Sequence, residues 1–441
     1  MDIYAKISQL AAALEPTMIE RRRDLHKYAE SGWYEMRTSS IIARILTELG
    51  YKVLTGRQVC EDEERMGLPS PGKLEEHFTL SLAQGAVSEF MTEDVKNGFT
   101  GVIGILSCGE GPVTALRFDI DALGGIETEE ADHKPNREGF SSVNHGVMHA
   151  CGHDGHTAIG LAVAEILTEL KDALHGTVKL IFQPAEEGVK GGKSVVGHGH
   201  LDDVDFFLSG HIYSEKDAPD CDVITGTVGP LATCKYDVTY HGKAAHAGTA
   251  PQRGKNALLA AVAAVQELMS IPRYMGGTSL VNVGKLISGT ARNVIPDEAF
   301  MEVEVRGDSQ EILAYMKENA LRIIKAAADL QGCTADITVA GEAEPLKSDE
   351  SFAREIADVL TAHLPDIRVS PLFQFRNPGS EDASFMMNRV QSHGGKAVYM
   401  RFLTELKTGV HERRYDFNEA VMKTAAAIYA AAVFHLLTRN V

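Results

Sequence analysis

The sequence of 441 residues predicts an α/β fold: a mixed, largely parallel sheet flanked by helices, with an inserted α+β domain. Three observations carry this expectation. Between residues 101 and 211, short apolar runs bounded by glycine alternate with a helical pattern, as in a parallel sheet whose strands are joined by helical crossovers. From about 229 the texture changes to alternating strands and two long helices, the pattern of a small α+β domain. Beyond about 341 the first pattern resumes, which makes the middle part an insertion. The chain is too long for one compact core, and the divisions are placed at 1–228, 229–340 and 341–441.

Taken in order, residues 2–29 read as a helix, because Ile3, Ile7, Leu10, Leu14, Met18 and Ile19 recur at helical spacing. Arg21-Arg22-Arg23 within it reads as a solvated face. A second helix, 38–49, stops at Gly50, and a short strand follows at 51–54. Residues 58–98 look like an insertion between two strands, with a helix expected over 73–95, placed to cap a site, to form an interface or as solvated decoration. Strands are expected at 101–106 and 113–118, the second ending in Asp119-Ile120-Asp121. After a loop and the helical run from Thr157 come strands at 178–182, ending in Gln183-Pro184-Ala185-Glu186-Glu187-Gly188, and at 204–208, ending in Ser209-Gly210-His211. The inserted part offers a strand at 236–240, helices at 257–269 and 310–330, and strands near 279–287, 297–306 and 335–339. The last part offers a helix at 351–363, a helix started by Ser380 as N-cap, a strand at 397–402, His411 in a loop, and a final helix at 417–437.

Net charge is −18, which opposes binding to nucleic acid or an anionic membrane. No uninterrupted apolar stretch reaches the length of a bilayer span, and the start lacks the basic and apolar regions of a signal peptide. Six scattered cysteines (60, 108, 151, 221, 234, 333) form no paired framework, so a reducing cytoplasm is expected.

The chemistry concentrates in His149-Ala150-Cys151-Gly152-His153-Asp154-Gly155-His156, on a loop that opens a helix. A thiolate and a neutral imidazole are good ligands for a zinc-like cation. Open α/β sheets place ligands at the carboxyl ends of their strands. Asp119, Asp121, Cys151, His153, Glu186, Glu187 and His211 are therefore expected in one crevice. Singly, each reads as an ordinary surface or core residue. Together with His411, the set Cys151, His153, Glu187 and His211 suffices for two cations if the thiolate bridges them. Adjacent residues of an extended chain point to opposite sides, so one of Glu186 and Glu187 binds metal while the other holds the attacking water. Asp119 and Asp121 are left to orient the ligands.

Met148 to His156, Gln183 to Gly188, Gly242-Lys243-Ala244-Ala245-His246-Ala247 and Gly379-Ser380-Glu381-Asp382 resemble the M20 metallopeptidase family. More narrowly, they resemble its amidohydrolase branch of hippurate and indole-acetyl-amino-acid hydrolases. Ala29-Glu30-Ser31-Gly32-Trp33 and the insertion with Arg65-Met66-Gly67-Leu68-Pro69 narrow the likeness to members that act on p-aminobenzoyl-glutamate. The resemblance implies a zinc-peptidase-like catalytic domain (1–228 and 341–441) and a lid and dimerisation domain (229–340). It implies Glu186 as general base, and Cys151, His153, Glu187, His211 and His411 as ligands of two divalent metal ions. Asp119 and Cys151 depart from the histidine and aspartate of the classical peptidases, as is usual in this branch, and leave manganese and zinc both open. It further implies substrate contacts from Asn293, Arg306 and Gly379, and an oxyanion donor, His246, supplied by the partner of a homodimer. The expected reaction is cleavage of p-aminobenzoyl-glutamate or a related N-acyl amino acid. Hippurate-like or indole-acetyl substrates are the alternative, and a silent metal-binding subunit is the reading from another class. The narrower likeness also implies a possible partner, a B-type subunit.

Overall fold

A computed structural model describes residues 2–218, 220–374 and 379–438. The chain divides into two compact units, one of Met1–Val228, Lys347–Phe375 and Asp382–Val441, the other of Gly229–Leu346 and Arg376–Glu381.

The first unit is built on an eight-stranded sheet in the order Lys52–Thr55, Val102–Ser107, Thr177–Gln183, Val113–Asp119, Phe206–Ser214, Lys396–Thr404, Val223–Ile224, Val369–Ser370. The four strands from Thr177–Gln183 to Lys396–Thr404 are mutually parallel, and antiparallel pairs flank them. These four are buried along almost their whole length, as strands covered on both faces must be. Helix His153–Glu169 lies on the sheet, packed with helices Ile3–Lys27 and Ala420–Thr438. Gly160 permits the close approach: a Cβ there would meet the Phe118 and Phe182 rings at 2.7 Å.

Several expectations are corrected. Strand Phe206–Ser214 runs past His211, because Lys396–Thr404 pairs with it residue for residue to its end. The insertion helix is shorter than expected, Pro71–Ala83, and Gly85 at φ 92° follows it. The helix expected from Ser380 starts at Ala383. Asp382 stands at its N-cap, and its carboxylate accepts instead from the backbone N–H groups of Gly191 and Gly192 and from Gln183 Nε2. Helix Ala420–Thr438 is, against expectation, long and apolar enough by length and composition to cross a membrane. Lys423 and His435 hide this in the sequence. Its apolar stretch is 72% buried within the protein, where it forms part of the core.

Arg22 is not solvated. Its guanidinium is fully buried and paired with Asp154 at 2.9 Å, Asp416 at 2.9 Å and Glu419 at 3.2 Å. Asp154 also accepts from His26 Nδ1 at 2.8 Å. The first helix is thereby tied to the residue after His153, and removing one member of such a buried set costs about 3–5 kcal/mol. The cluster extends to Glu127, which accepts from His26, His133 and the Ser142 N–H. Burial alone would raise its pKa, but the His133 and His26 hydrogen bonds hold it at about 2 against an ordinary 4.5. A carboxylate depressed on folding stabilises the fold above its unfolded pKa, and the gain is lost as pH falls from about 5 towards 2. The shift corresponds to about 3 kcal/mol. Glu127→Gln is expected to lower unfolding free energy by that order at pH 7 and by much less near pH 3, read by urea titration at both pH values.

The insertion is not solvated decoration. The Trp33 indole N–H donates to Met66 O at 2.8 Å, and Arg65 stacks on Phe99 with 3.4 Å to the ring centroid. From helix Pro71–Ala83, His77 and Ser81 donate to buried Glu30. Glu30 also accepts from the Arg37 and Thr38 N–H groups and from the Thr38 hydroxyl.

The second unit is a four-stranded antiparallel sheet, Ser279–Ser288, Glu298–Gly307, Ala232–His241, Thr334–Ala343, with helices Ala257–Met269 and Gln310–Leu330 packed on it. Burial alternates along Glu298–Gly307, as in a sheet with one covered face. Its last strand runs to Ala343 and the unit to Leu346, beyond the 340 expected, because Ala343 still pairs with Thr233.

Candidate metal centre and active site

The parallel strands end beside one another, so the residues that follow them converge. Asp121 lies two residues beyond Val113–Asp119, and Glu186 and Glu187 three and four beyond Thr177–Gln183. His153 begins the helix after Gly152, whose φ of 92° requires glycine. His211 comes from inside its strand. His411 sits in the loop after Lys396–Thr404 at φ 65°, with its N–H on Ala150 O at 2.7 Å.

These positions bring ligand atoms into two trios, each within 4.8 Å: Cys151, His153 and His211, and Cys151, Glu187 and His411. Cys151 belongs to both, the position a bridging thiolate requires. The hydrogen bonds fix the tautomers. His153 Nδ1–H donates to Asp121 O at 2.9 Å, with Asp121 Oδ1 at 3.2 Å. His153 Nε2 is buried and has no hydrogen-bond partner among the described residues. His211 Nδ1–H donates to Ile212 O at 2.7 Å, and its Nε2 faces Cys151 Sγ at 3.3 Å. Two Nε2 lone pairs, a thiol and the Glu187 carboxylate, 3.3 Å from His411 Nε2, therefore fit a pair of divalent cations.

Without a cation the electrostatics leave His211 ready to ligate and keep protons on His153 and Cys151. Burial, with His156 beside it, holds His211 well below the usual histidine range, so its imidazole is neutral. Burial also disfavours charge on His153, but Asp119 and Asp121 hold its pKa well above that range. Burial and Glu187 push the Cys151 thiol well up. A cation binding here displaces those protons.

Asp121 makes hydrogen bonds to two of the candidate ligands. Besides holding His153, its Oδ2 accepts the Glu187 N–H at 2.9 Å. Asp119 differs. It pairs with Arg117 at 2.7 Å and accepts from His156 Nδ1, and it lies 3.9 Å from His153 Nε2. The other nitrogen of His156 accepts the Ile212 N–H at 3.0 Å. Asp119 thus steadies the His211 strand through His156. Both His156 nitrogens are engaged, which sets this third histidine of the loop apart from the ligands. Glu186 is nearly buried, with Oε2 at 4.0 Å from His153 Nε2.

In the second unit, His246 is exposed and its Nδ1 accepts from the N–H groups of Gly248 and Thr249, each at 3.1 Å. The proton is therefore on Nε2, which has no hydrogen-bond partner among the described residues. Asn293 is its neighbour: Asn293 O accepts the Ala247 N–H at 2.9 Å, and His246 bridges Val294. Arg306 is not with them. It sits opposite Thr233, at the other end of the strand pair from His241 and Glu298, and its guanidinium lies on Glu304 at 2.9 Å. Gly379 O accepts the Leu231 N–H at 2.8 Å.

Residues 115–435 match the model of peptidase family M20/M25/M40. The chain belongs to this family. It is a metal-dependent amidohydrolase acting on linear amides. It is 42% identical over 425 residues to the indole-3-acetyl-aspartic acid hydrolase of Enterobacter agglomerans, covering 96% of this chain and 97% of the relative. It is 41% identical over 433 residues to the A-type subunit of the p-aminobenzoyl-glutamate hydrolase of Escherichia coli K12, covering 96% and 97%. Among solved structures, the aminobenzoyl-glutamate utilization protein from Klebsiella pneumoniae superimposes with a TM-score of 0.84 at 36% identity, covering 99% of this chain and all of that one.

The sequence reading missed one member of this M20 site. Glu35 is fully buried; its Oε1 accepts the Ala185 N–H at 2.7 Å and its Oε2 the Thr100 hydroxyl at 2.6 Å. Ala185 has φ 52° and Val189 φ 60°, so the turn carrying Glu186 and Glu187 is strained at both ends. Glu35 holds one end in place. Glu35→Ala leaves a buried N–H unpaired, a cost of about 1–3 kcal/mol. It is expected to lower kcat by about 10–100-fold. Glu35→Gln keeps an acceptor and should restore most of it, as steady-state kinetics of both variants will show.

Proposed function

We propose that this amidohydrolase cleaves the amide bond of p-aminobenzoyl-glutamate or a related N-acyl amino acid, using two divalent cations, manganese or zinc. The observation that carries the reading is the sharing of Cys151 by two ligand trios beside the buried Glu186. Cys151, His153, Glu187, His211 and His411 hold the cations, which when bound polarise the scissile carbonyl and acidify water. Glu186 takes the proton of the attacking water and passes it to the leaving nitrogen. His246 Nε2–H donates to the developing oxyanion. Arg306, Asn293 and Gly379 hold the amino-acid part, Arg306 turning from Glu304 to the substrate carboxylate.

Indole-acetyl-aspartate is the second reading, favoured by the 42% identity to a hydrolase named for it. A homodimer through the second unit is supported by Leu259, Val262 and Met269, exposed along one helix, and by the strand Ser279–Ser288 at the edge of its sheet. A B-type subunit is supported by relatives whose names make them A-type subunits of a hydrolase.

The test is hydrolysis of a panel of acyl-glutamates and acyl-aspartates by protein reconstituted with manganese or zinc, alone and with any co-purifying chain. Turnover of an aromatic acyl-glutamate or acyl-aspartate, lost on chelation, is the expected result. Stoichiometric metal binding without turnover of any member would overturn the reading in favour of a silent subunit.

A further inference from the structure

The turn that carries Glu186 and Glu187 doubles back on itself, because the Lys190 and Gly191 N–H groups both donate to Ala185 O, at 3.1 and 2.9 Å. Glu35 holds its first end at Ala185. Its far end is held by a second carboxylate from a distant part of the chain. This is Asp382, the last residue of Gly379-Ser380-Glu381-Asp382, to which the reaction above gives no part. We infer that Asp382 is a positioning residue: through the backbone of Gly191 and Gly192 it fixes where the turn holds Glu186 and Glu187. The inference rests on the reading of Glu186 as base and Glu187 as metal ligand.

Asp382 is fully buried, and both of its carboxylate oxygens are engaged. Oδ2 accepts the Gly192 N–H at 2.7 Å and the Gly191 N–H at 3.2 Å. Oδ1 accepts from Gln183 Nε2 at 2.8 Å and from Arg117 Nη2 at 3.2 Å. These donors match the roughly four lone-pair sites of a carboxylate, so Asp382 holds the backbone rather than moving protons or binding a cation. The glycines admit it. A Cβ on Gly191 would run into Pro184 O, and one on Gly192 into the backbone oxygen of Asp382 itself. Only residues without a side chain bring their N–H groups to this carboxylate.

The anchor behind Asp382 is Arg117, also fully buried. Its Nε donates to Gln183 Oε1 at 2.7 Å, and its Nη1 pairs with Asp119 at 2.7 Å. One guanidinium thereby joins the ends of strands Val113–Asp119 and Thr177–Gln183 to the residue that precedes helix Ala383–Ser392. The hold is close to the chemistry, since one oxygen of Asp382 and one of Glu186 lie within 4.8 Å of each other. A turn with left-handed residues at Ala185 and Val189 persists only when its surroundings over-determine it. Glu35 and Asp382 do so from its two ends.

The experiment measures kcat, KM and zinc affinity, the last by competition with a chelator, in the wild type, in Asp382→Asn and in Gln183→Glu/Asp382→Asn. Whichever way its amide turns, Asp382→Asn sets an NH2 group against donors on one side. The second change places an acceptor opposite that NH2 group and so restores the hold on Gly191 and Gly192. Asp382→Asn is expected to lower zinc affinity and kcat by about 10–100-fold each, with KM within about twofold of the wild type. The double variant is expected to recover most of both losses. A loss of thermal stability alone, or losses in kcat and affinity that the double variant does not recover, overturns the proposal. If Asp382→Asn fails to fold, Gln183→Met removes one donor to Asp382 and keeps its Arg117 pair. A fall of about threefold or more in zinc affinity then supports the proposal, and an unchanged affinity overturns it. If the wild type binds zinc but turns over no acyl-amino acid, the functional reading fails separately, and zinc affinity alone decides. A wild type that binds no zinc overturns both.

Discussion

Glu186→Gln is expected to lower turnover by about 10²–10⁴-fold while leaving bound metal and thermal stability near the wild-type values. The side chain is nearly buried beside His153 Nε2; it falls in a ligand trio with His153 and Glu187 but not in the two that share Cys151, so metal content is the measurement that tells base from ligand. Gln matches Glu in shape but cannot accept and return a proton, so chemistry is lost and the turn is kept. Glu187→Gln should behave oppositely, losing metal first, because Glu187 shares a trio with Cys151 and His411. Asp121 is poorly placed to substitute as base. Its Oδ1 faces His153 and its Oδ2 accepts the Glu187 N–H. Metal content by mass spectrometry beside steady-state kinetics separates the two glutamates. Near-normal turnover in the Glu186→Gln variant would sink the assignment.

How much of this was legible in the sequence follows from distance along the chain. Cys151, His153 and Glu187 could be singled out as candidate ligands because the first two share one eight-residue cluster and the third stands just after an apolar strand, where an α/β sheet concentrates chemistry. The inserted domain could be read because its alternation differs from the continuous apolar runs of the parallel strands. The supporting residues could not. Glu35 meets Ala185 across 150 positions, Arg22 meets Asp416 across 394, and Asp382 meets Gly192 across 190. Nothing in their local sequence separates a buried, paired charge from a solvated one, which is why Arg22 read as surface. His211 was misplaced to a strand end for a similar reason. The length of Phe206–Ser214 is set by its partner Lys396–Thr404, nearly two hundred residues away along the chain.

The second large effect concerns His246. Within one chain, His246 and Asn293 lie beyond the His241 and Glu298 end of the strand pair, whereas Arg306 lies opposite Thr233 near its other end. Eight strand positions separate the two ends, about 26 Å at about 3.3 Å per residue. A small acyl amino acid cannot span that length, so a substrate touched by all three residues must take them from two chains. The homodimer proposed above meets this requirement, with Glu186 and the metal ligands from one protomer and His246 from its partner. The His246 ring is prepared for the task, since Nδ1 is occupied by two backbone N–H groups and the proton is left on exposed Nε2. A positioned donor of this kind is worth about 2.7–4 kcal/mol in the transition state. His246→Ala alone should therefore cost about 10²–10³-fold in kcat. The decisive measurement mixes Glu186→Gln with His246→Ala under conditions of subunit exchange. In each mixed dimer one site holds both wild-type groups and the other neither, so activity should return to about a quarter of the wild-type value at equal mixing. If exchange is verified by mass spectrometry and activity stays at the level of the single variants, His246 works within its own chain or takes no part in the reaction.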